Sequence, residues 1–510
     1  MNNRFLIIVG SRNNEKWVES NIKSILSQDY SNYKVLYFDD ASEDNTAGRV
    51  KEIVGKDSRF DLYISEERKY KTWFFSHILP SSDRDILVFL DGDDFFASEN
   101  VLSYINEVYN QSDCWMTYGG MRVWDGINEP VEPYPQNSEI PLDIIKHRAY
   151  RKDTWRTSHL KTMRGFLWKS IDKKDLCPDG KYMVGPDDLA IMYAALELCP
   201  PSKVYRVKDP LYIYNHSDAN ENSRAFKDHN NCGINYENIV RTRIPYDTLS
   251  FVTPLLAGGL GNQMFEIAAA ASLAKDNNAI LIINNEEHIL PNQGRNINNY
   301  LDNIFSKISI DKNLPIEHIY KWDLSTYRPI KYQPNIKTMG HFQSWRYFHH
   351  NQDYIKGLFA PTDEIRQVLK TMEYLSEYTI LQVRRGDYYK FPDHHPQLIP
   401  DYFYKAVNQI NPNKILIFSD DIDWCKKNLT FSIKCEYNTQ SFPDYLELYM
   451  MTLCKNLVVS NSSFGWWAAY LNSNPHRKIY VPSIWFGKYM LNEGFNIDDL
   501  VLNDWIKIQI

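Results

Sequence analysis

Short apolar runs with polar residues at their ends recur along the chain. Residues 5–9 (FLIIV), 34–38 (KVLYF) and 85–90 (DILVFL) are five or six residues long, and the first two flank EKWVESNIKSILSQ, whose apolar positions repeat at helical spacing. Runs of that length alternating with helical stretches predict buried strands of a mainly parallel α/β sheet. Between about residues 216 and 248 the periodicity fades into a segment rich in Asn, Asp and Ser, and a new apolar run, SFVTPLLAG, follows. That change predicts a boundary near residue 246. Further strands are predicted at 379–383 (TILQV), 414–418 (KILIF), 456–459 (NLVV) and 478–481 (KIYV). The two halves share no repeat period, so the pattern predicts a fusion of two α/β domains: 1–215, a linker over 216–248, and 249–510.

At 510 residues the chain is too long for one ordinary core, in agreement with that division. A net charge of −7 leaves no basic stripe for a nucleic-acid backbone, so nucleic acid is not an expected partner. The seven cysteines are scattered without a CxxC pair, which predicts neither a disulfide framework nor a zinc site and suits a reducing compartment. FLIIVG follows Met1 too closely for a signal peptide, and no apolar run approaches the roughly 18 residues of a membrane span. The expected location is cytoplasmic, with a membrane touched only through an acceptor.

The sharpest feature of the first half is DILVFLDGDDFF, a strand that delivers Asp91, Gly92, Asp93 and Asp94 at its end. Clustered carboxylates there predict a divalent cation, which neutralises a nucleoside diphosphate and stabilises charge on it as it departs. Gly92 lets the backbone turn close to a ligand. Asp39 and Asp40 end the preceding strand, where carboxylates can accept hydrogen bonds from a ribose or base; a turn-forming role is the plain alternative. Downstream, TWRTSHLKTMRGFLW supplies His159, Lys161 and Arg164, either for a diphosphate or acceptor or as a solvated helix face.

The run IIVGSRNNEKWVESNIKSILSQDYSNYKVLYFDDASEDNT, followed by LVFLDGDDFF, resembles glycosyltransferase family 2 over about residues 4–215. The resemblance implies a GT-A fold, a nucleotide diphosphate sugar donor, Mn²⁺ or Mg²⁺ at Asp91 and Asp93, and inverting transfer with a carboxylate base. It further implies nucleotide-sugar contacts from Ser11, Arg12, Asp39, Asp40 and Asp91. The base falls on Asp187 and Asp188 of VGPDDLAIMY, where the family usually has a Glu-Asp pair. A carboxylate at a helix start stays ionised and ready to accept a proton; an N-cap pair is the alternative.

In the second half LLAGGLGNQMFEIAAAASLA reads as a strand, a glycine loop and a helix, with backbone NH groups suited to an anion. Its spacing fits neither GxGxxG nor GxxxxGK. In TILQVRRGDYY a strand ends in Arg384, Arg385, Gly386 and Asp387, and guanidinium forks match phosphate oxygens. NLVVSNSSFGWWAAYL then aims Ser462, Ser463 and a helix start at the same kind of group, with Trp466 and Trp467 as core residues beneath. IFSDD adds Asp420 and Asp421, either a base contact or a turn.

GGLGNQMF, GHFQSWRYF, VRRGDYY, IFSDD and SNSSFGWWAAYL together resemble glycosyltransferase family 11, the alpha-1,2-fucosyltransferases, over about residues 251–510. That resemblance implies a GT-B-type domain with Rossmann-like halves, GDP-fucose as donor, inversion and no metal. It implies a GDP-fucose pocket of Asn262, Arg384, Arg385, Asp387, Ser462, Ser463 and Phe464, with Arg384 and Asp387 catalytic, and an acceptor side bearing His341 and Gln343. Gln382 stands where the family motif usually has His, so the proton acceptor is left open. The expected whole is a bifunctional glycosyltransferase acting on a glycan, glycolipid or glycoprotein acceptor. The alternatives are an inactive glycan-binding or scaffold half, or a nucleotidyltransferase in the first half.

Overall fold

The computed structural model describes residues 2–132, 137–217, 234–284, 296–322, 326–495 and 497–510. The chain divides into two compact units, Met1–Leu249 and Ser250–Ile510.

The first unit is built on one mixed sheet. Its strands are β1 (Phe5–Ser11), β2 (Tyr33–Asp39), β3 (Phe60–Ile64), β4 (Ile86–Asp91), β5 (Phe95–Phe96), β6 (Met116–Trp124), β7 (Lys161–Arg164) and β8 (Val204–Asn215), in the order β3-β2-β1-β4-β7-β6-β8-β5. The first four are parallel, and β7 runs antiparallel between β4 and β6. Every residue of β1 is buried, as a strand covered on both faces requires. Strand order reverses between β1 and β4, and that edge is where ligands bind in open α/β sheets. Register pairs Ser11 with Asp39 and Gly10 with Asp91, so three strand ends reach one edge together.

Residues 236–248 correct the expectation of a linker, because they are folded onto this unit. A buried bidentate pair, Arg151 on Glu197 at 2.7 Å for each bond, has donors and an acceptor left to satisfy. The Val240 carbonyl accepts from Arg151 at 2.6 Å, and the Tyr246 NH donates to Glu197 at 3.1 Å. Without these partners the buried charges would be costly, so the segment is held in place. Residues 218–233 of the expected linker lie outside the described residues.

The second unit has two parallel sheets. One comprises β9 (Phe251–Leu255), β10 (Ile280–Asn284), β11 (Ser309–Asp311), β12 (His318–Lys321) and β13 (Ile336–Met339), ordered β11-β10-β9-β13-β12. The other comprises β14 (Thr379–Val383), β15 (Lys414–Ser419), β16 (Lys434–Tyr437), β17 (Asn456–Val459), β18 (Lys478–Pro482) and β19 (Ile506–Ile508), ordered β16-β15-β14-β17-β18-β19. Alternation divides the second sheet between two cores: Ile380, Leu416, Phe418 and Leu457 join one, while Leu381, Ile415, Ile417 and Val458 join the other. Trp466 and Trp467 are fully buried, as expected, and Trp467→Ala would cost about 3–5 kcal/mol. One mixed sheet and two doubly wound parallel sheets fulfil the GT-A and GT-B-type expectation. Among the described residues no helix is long and apolar enough to cross a membrane.

Candidate functional sites

In the first unit, Asp91 emerges at the end of β4 and the backbone turns at once through Gly92. A Cβ on Gly92 would lie 2.5 Å from the Ser11 side chain and 2.9 Å from its Cα, so glycine is required for this approach. Asp91 accepts from the Lys71 ammonium at 2.8 Å, and Lys71 also faces Asp187 at 3.7 Å. Across the site the buried Lys161 pairs with Asp188, and His159 Nε2 lies 3.4 Å from Asp188 and 3.9 Å from Asp91. His159 stacks on Tyr212 at 4.5 Å.

Three acids and three bases therefore interlock. Burial alone would lower the pKa of Lys71, but the charges of Asp187, Asp91 and Asp188 outweigh it and hold the ammonium well above its usual value. Burial would raise Asp91, and Lys71, His159 and Lys161 reverse the sign. Asp188 lies well below the carboxylate range because Lys161 and His159 overcome burial. Asp187 is raised, by burial and by its acidic neighbours against the pull of Lys71. The sequence-predicted Asp91, Asp187 and Asp188 thus come together, at the strand edge and at the start of the helix Asp187–Leu198.

The other acidic and polar residues of this edge also have partners within the protein. Asp94 accepts from the Tyr212 hydroxyl at 2.6 Å and the Asn215 NH at 2.8 Å; burial, then Asp93 and Asp91, push its carboxyl well up. Asp39 accepts from the Ser42 NH and hydroxyl, and Asp40 from the NH groups of Lys69 and Tyr70. Ser11 accepts from Asn14, and Arg12 pairs with Glu43 at 2.8 Å. The helix face considered for His159, Lys161 and Arg164 is replaced by β7, whose pairing to β4 and β6 turns Lys161 into the site. Arg164 points elsewhere, donating to Asn3 and to the Arg84 carbonyl. Lys71 escaped the sequence reading, since KYKTWFFS looks like an ordinary amphipathic stretch.

The divalent cation that the family 2 resemblance implies finds suitable chemistry in Asp91 and Asp93. Among the described residues no three His, Cys, Asp or Glu side chains form a metal cage. Mg²⁺-type ions commonly take one or two carboxylates and complete their shell with water and substrate phosphate, which an acidic pair at a strand end suits.

In the second unit the motifs collect at two switch points. Strand order reverses between β14 and β17, where Arg384 and Ser460–Ser463 emerge, and between β9 and β13, where Gly258–Asn262 and His341–Gln343 emerge. Between them lies a cavity of about 860 Å³, lined by Asn262, His341, Gln343, Arg384, Ser462, Ser463 and Phe464 among others. Asn262 ties the sides together, its Oδ1 accepting from Ser463 Oγ at 2.7 Å and Gln343 Nε2 at 2.9 Å. A Cβ on Gly261 would lie 2.5 Å from the Phe464 nitrogen, so the glycine loop rests directly on the start of the helix Ser463–Leu471.

Arg384 faces the cavity with Asp420 at 2.8 Å and Tyr388 beneath it at 5.4 Å. Arg385 is corrected: it turns from the cavity to lie 3.8 Å over Trp424 and donate to Gln397. Adjacent residues leaving a strand diverge, which takes one arginine out of the pair. Asp420 also accepts from the Arg385 NH at 2.9 Å, so it shapes the loop as well as orienting Arg384. The Asp387 side chain lies outside what is described. Gln382 is consumed by the Ser460 NH, which donates to its Oε1 at 3.1 Å. Sequence reasoning missed Glu266, whose signal was a lone acid inside an apolar helix; it meets His341 Nδ1 at 2.8 Å.

The model of glycosyl transferase family 11 matches residues 236–509, and that of glycosyl transferase family 2 matches residues 6–171. The O-antigen biosynthesis glycosyltransferase WbnK of Escherichia coli is 24% identical over 306 residues, covering 50% of this chain and 99% of that protein. An alpha-1,2-colitosyltransferase of Escherichia coli is 26% identical over 301 residues, covering 51% of this chain and 100% of its own length. Among solved structures, S. aureus TarS 1–349 in complex with UDP-GlcNAc is 20% identical with a TM-score of 0.32. This chain covers 58% of that structure, using 42% of its own length.

Proposed function

Starting from a chain that belongs to glycosyl transferase family 11 and carries a family 2 domain ahead of it, we propose two successive sugar transfers by one polypeptide. The first unit moves a sugar from a nucleotide diphosphate donor to a glycan, glycolipid or glycoprotein acceptor. Asp91 and Asp93 would hold Mn²⁺ or Mg²⁺, which would supply positive charge to balance the diphosphate. Asp187 and Asp188 stand where the acceptor's proton is taken. The second unit adds fucose from GDP-fucose in alpha-1,2 linkage with inversion, its diphosphate received by Arg384, the Ser462–Ser463 hydroxyls and the helix start. A relative that is an alpha-1,2-colitosyltransferase supports the same linkage. The tether raises the local concentration of the intermediate, to the millimolar range for a short span.

The observation that carries this reading is the convergence of Asn262, Arg384 and Ser463 on one cavity between two parallel sheets. The test uses the full chain, a panel of UDP and GDP sugars, and acceptors with and without extension. Arg384→Ala is expected to lower fucosyl transfer by about 10²–10³-fold while leaving the first transfer intact. Asp93→Ala and chelator are expected to do the reverse. Loss of both activities in either folded variant would defeat the assignment of independent sites. Ready fucosylation of the unextended acceptor, with none of the first product, would defeat the order.

A further inference from the structure

The cavity of the second unit needs a proton acceptor, because a sugar hydroxyl that attacks the donor must lose its proton. Gln382 is an amide already engaged by Ser460. Among the described residues, other ionisable groups lining the cavity have different partners: Asp420 holds Arg384, Tyr300 donates to Asp444 at 2.7 Å, and Asn438 donates to Glu447 at 2.9 Å. His395 stacks on Tyr388 at 4.5 Å.

His341 is differently placed. It follows β13 and lines the cavity, its imidazole 46% exposed, and its Nδ1 lies 2.8 Å from Glu266 Oε1. Glu266 is 1% exposed, and its other oxygen accepts from the Ala257 NH at 2.8 Å. A carboxylate fixed at both oxygens dictates the tautomer of its neighbour: Nδ1 carries the proton, and Nε2 presents a lone pair. A buried acid with a backbone donor on one side and a half-exposed histidine on the other is costly unless it serves the ring.

We propose that the Glu266–His341 dyad supplies the general base of the C-terminal site, with His341 the catalytic residue and Glu266 the positioning residue. This rests on the fucosyl-transfer reading above. The acceptor hydroxyl oxygen forms a bond to the anomeric carbon with its lone pair. The bond from that carbon to the diphosphate oxygen breaks, and its electron pair leaves with GDP. The hydroxyl proton passes to Nε2, and the imidazolium so formed is stabilised by the Glu266 carboxylate until the proton is lost to solvent.

Electrostatics agree with this arrangement. Burial lifts the Glu266 carboxyl to about 7 against the pull of His341. Burial would lower His341, but Glu266 outweighs it and raises the ring above its ordinary value. The active form, a carboxylate beside a neutral ring, therefore gathers as pH rises through neutrality.

The test measures fucosyl transfer by the full chain from pH 5 to 9 with GDP-fucose and the extended acceptor, alongside GDP binding by calorimetry. His341→Gln is expected to lower kcat by about 10²–10⁴-fold with GDP affinity unchanged within twofold. Glu266→Gln, nearly isosteric, is expected to lower kcat about tenfold and move the acidic limb of kcat down by about one pH unit. GDP binding by each variant reports that the site is folded. Wild-type kcat in His341→Gln, an unmoved acidic limb in Glu266→Gln, or abolition of that limb by Asp387→Asn alone would overturn the dyad. Absence of fucosyl transfer by the unmodified chain would instead overturn the reading on which it rests.

Discussion

The two units handle acidic ligand chemistry in opposite ways. In the first, Asp91, Asp187 and Asp188 are already matched by Lys71, Lys161 and His159, so the carboxylates meet their counter-charges inside the protein. In the second, Arg384 pairs with Asp420 and borders an 860 Å³ cavity. A ligand of the first site must exchange partners with an existing network, and each exchange trades one charge pair for another. A ligand of the second site meets groups already oriented, so less reorganisation opposes its binding. The contrast predicts that the first site responds to changes of charge and the second to changes of shape.

The largest effect of shape belongs to Gly261. Alanine there puts a methyl 2.5 Å from backbone atoms of Ser463 and Phe464, which cannot yield without parting the glycine loop from the helix start. A shift of about 1 Å at such a point costs on the order of 10²-fold in transfer. Gly357→Ala is the control, since a Cβ there meets nothing within 4 Å. Fucosyl transfer by Gly357→Ala is expected within several-fold of wild type. Equal losses in both variants, measured as kcat/KM for GDP-fucose, would show that loop contact is not what organises the cavity.

Charge is tested at Lys71. Its ammonium favours the ionised form of Asp91 and keeps that carboxyl low. Lys71→Met removes the positive charge, so Asp91 takes up a proton at higher pH and the acidic limb of the first transfer moves upward. A profile of rate against pH at saturating metal measures this, and an unmoved limb would mean that the network does not govern Asp91. Metal affinity supplies a second reading, because Lys71 and a bound cation would both draw on the Asp91 carboxylate. Lys71→Met is expected to bind Mn²⁺ more tightly at neutral pH.

Much of this contrast was legible in the sequence, because the residues that end strands are short-range features. The runs before Asp91, Arg384 and Ser460 are apolar and end in polar motifs, and parallel sheets bring such ends to one edge whatever the intervening loops. What escaped depends on pairing across long separations. Lys71 acquires its meaning only when its helix lies beside β4 and the start of Asp187–Leu198. Glu266 and His341 are 75 residues apart and meet because β9 and β13 are neighbours in the sheet. Arg385 failed for a different reason: the spacing RR says that two guanidiniums are adjacent in the chain but not that they face one way. The 236–248 segment looked like a linker because its anchors, Arg148 and Arg151, lie about a hundred residues earlier.

The smallest expected effect concerns stability and separates the dyad's energetic cost from its chemistry. Glu266 has a folded-state pKa of about 7, above its ordinary value near 4.5. Between those limits the folded protein retains a proton that the unfolded chain has released, so stability falls as pH rises through that window. His341, also raised, adds a contribution that is present at low pH and lost as pH passes its folded value. The two groups therefore act in the same direction. Glu266→Gln removes the first and weakens the second, and should flatten the decline of Tm between pH 5 and 7 by a few degrees. Calorimetry resolves this if the C-terminal transition is identified by its upward shift with added GDP. A decline as steep in Glu266→Gln as in the unmodified chain would mean that the carboxyl is already ionised throughout that range. His341 would then face a full negative charge at every pH tested, and the acidic limb of fucosyl transfer would report the ring alone.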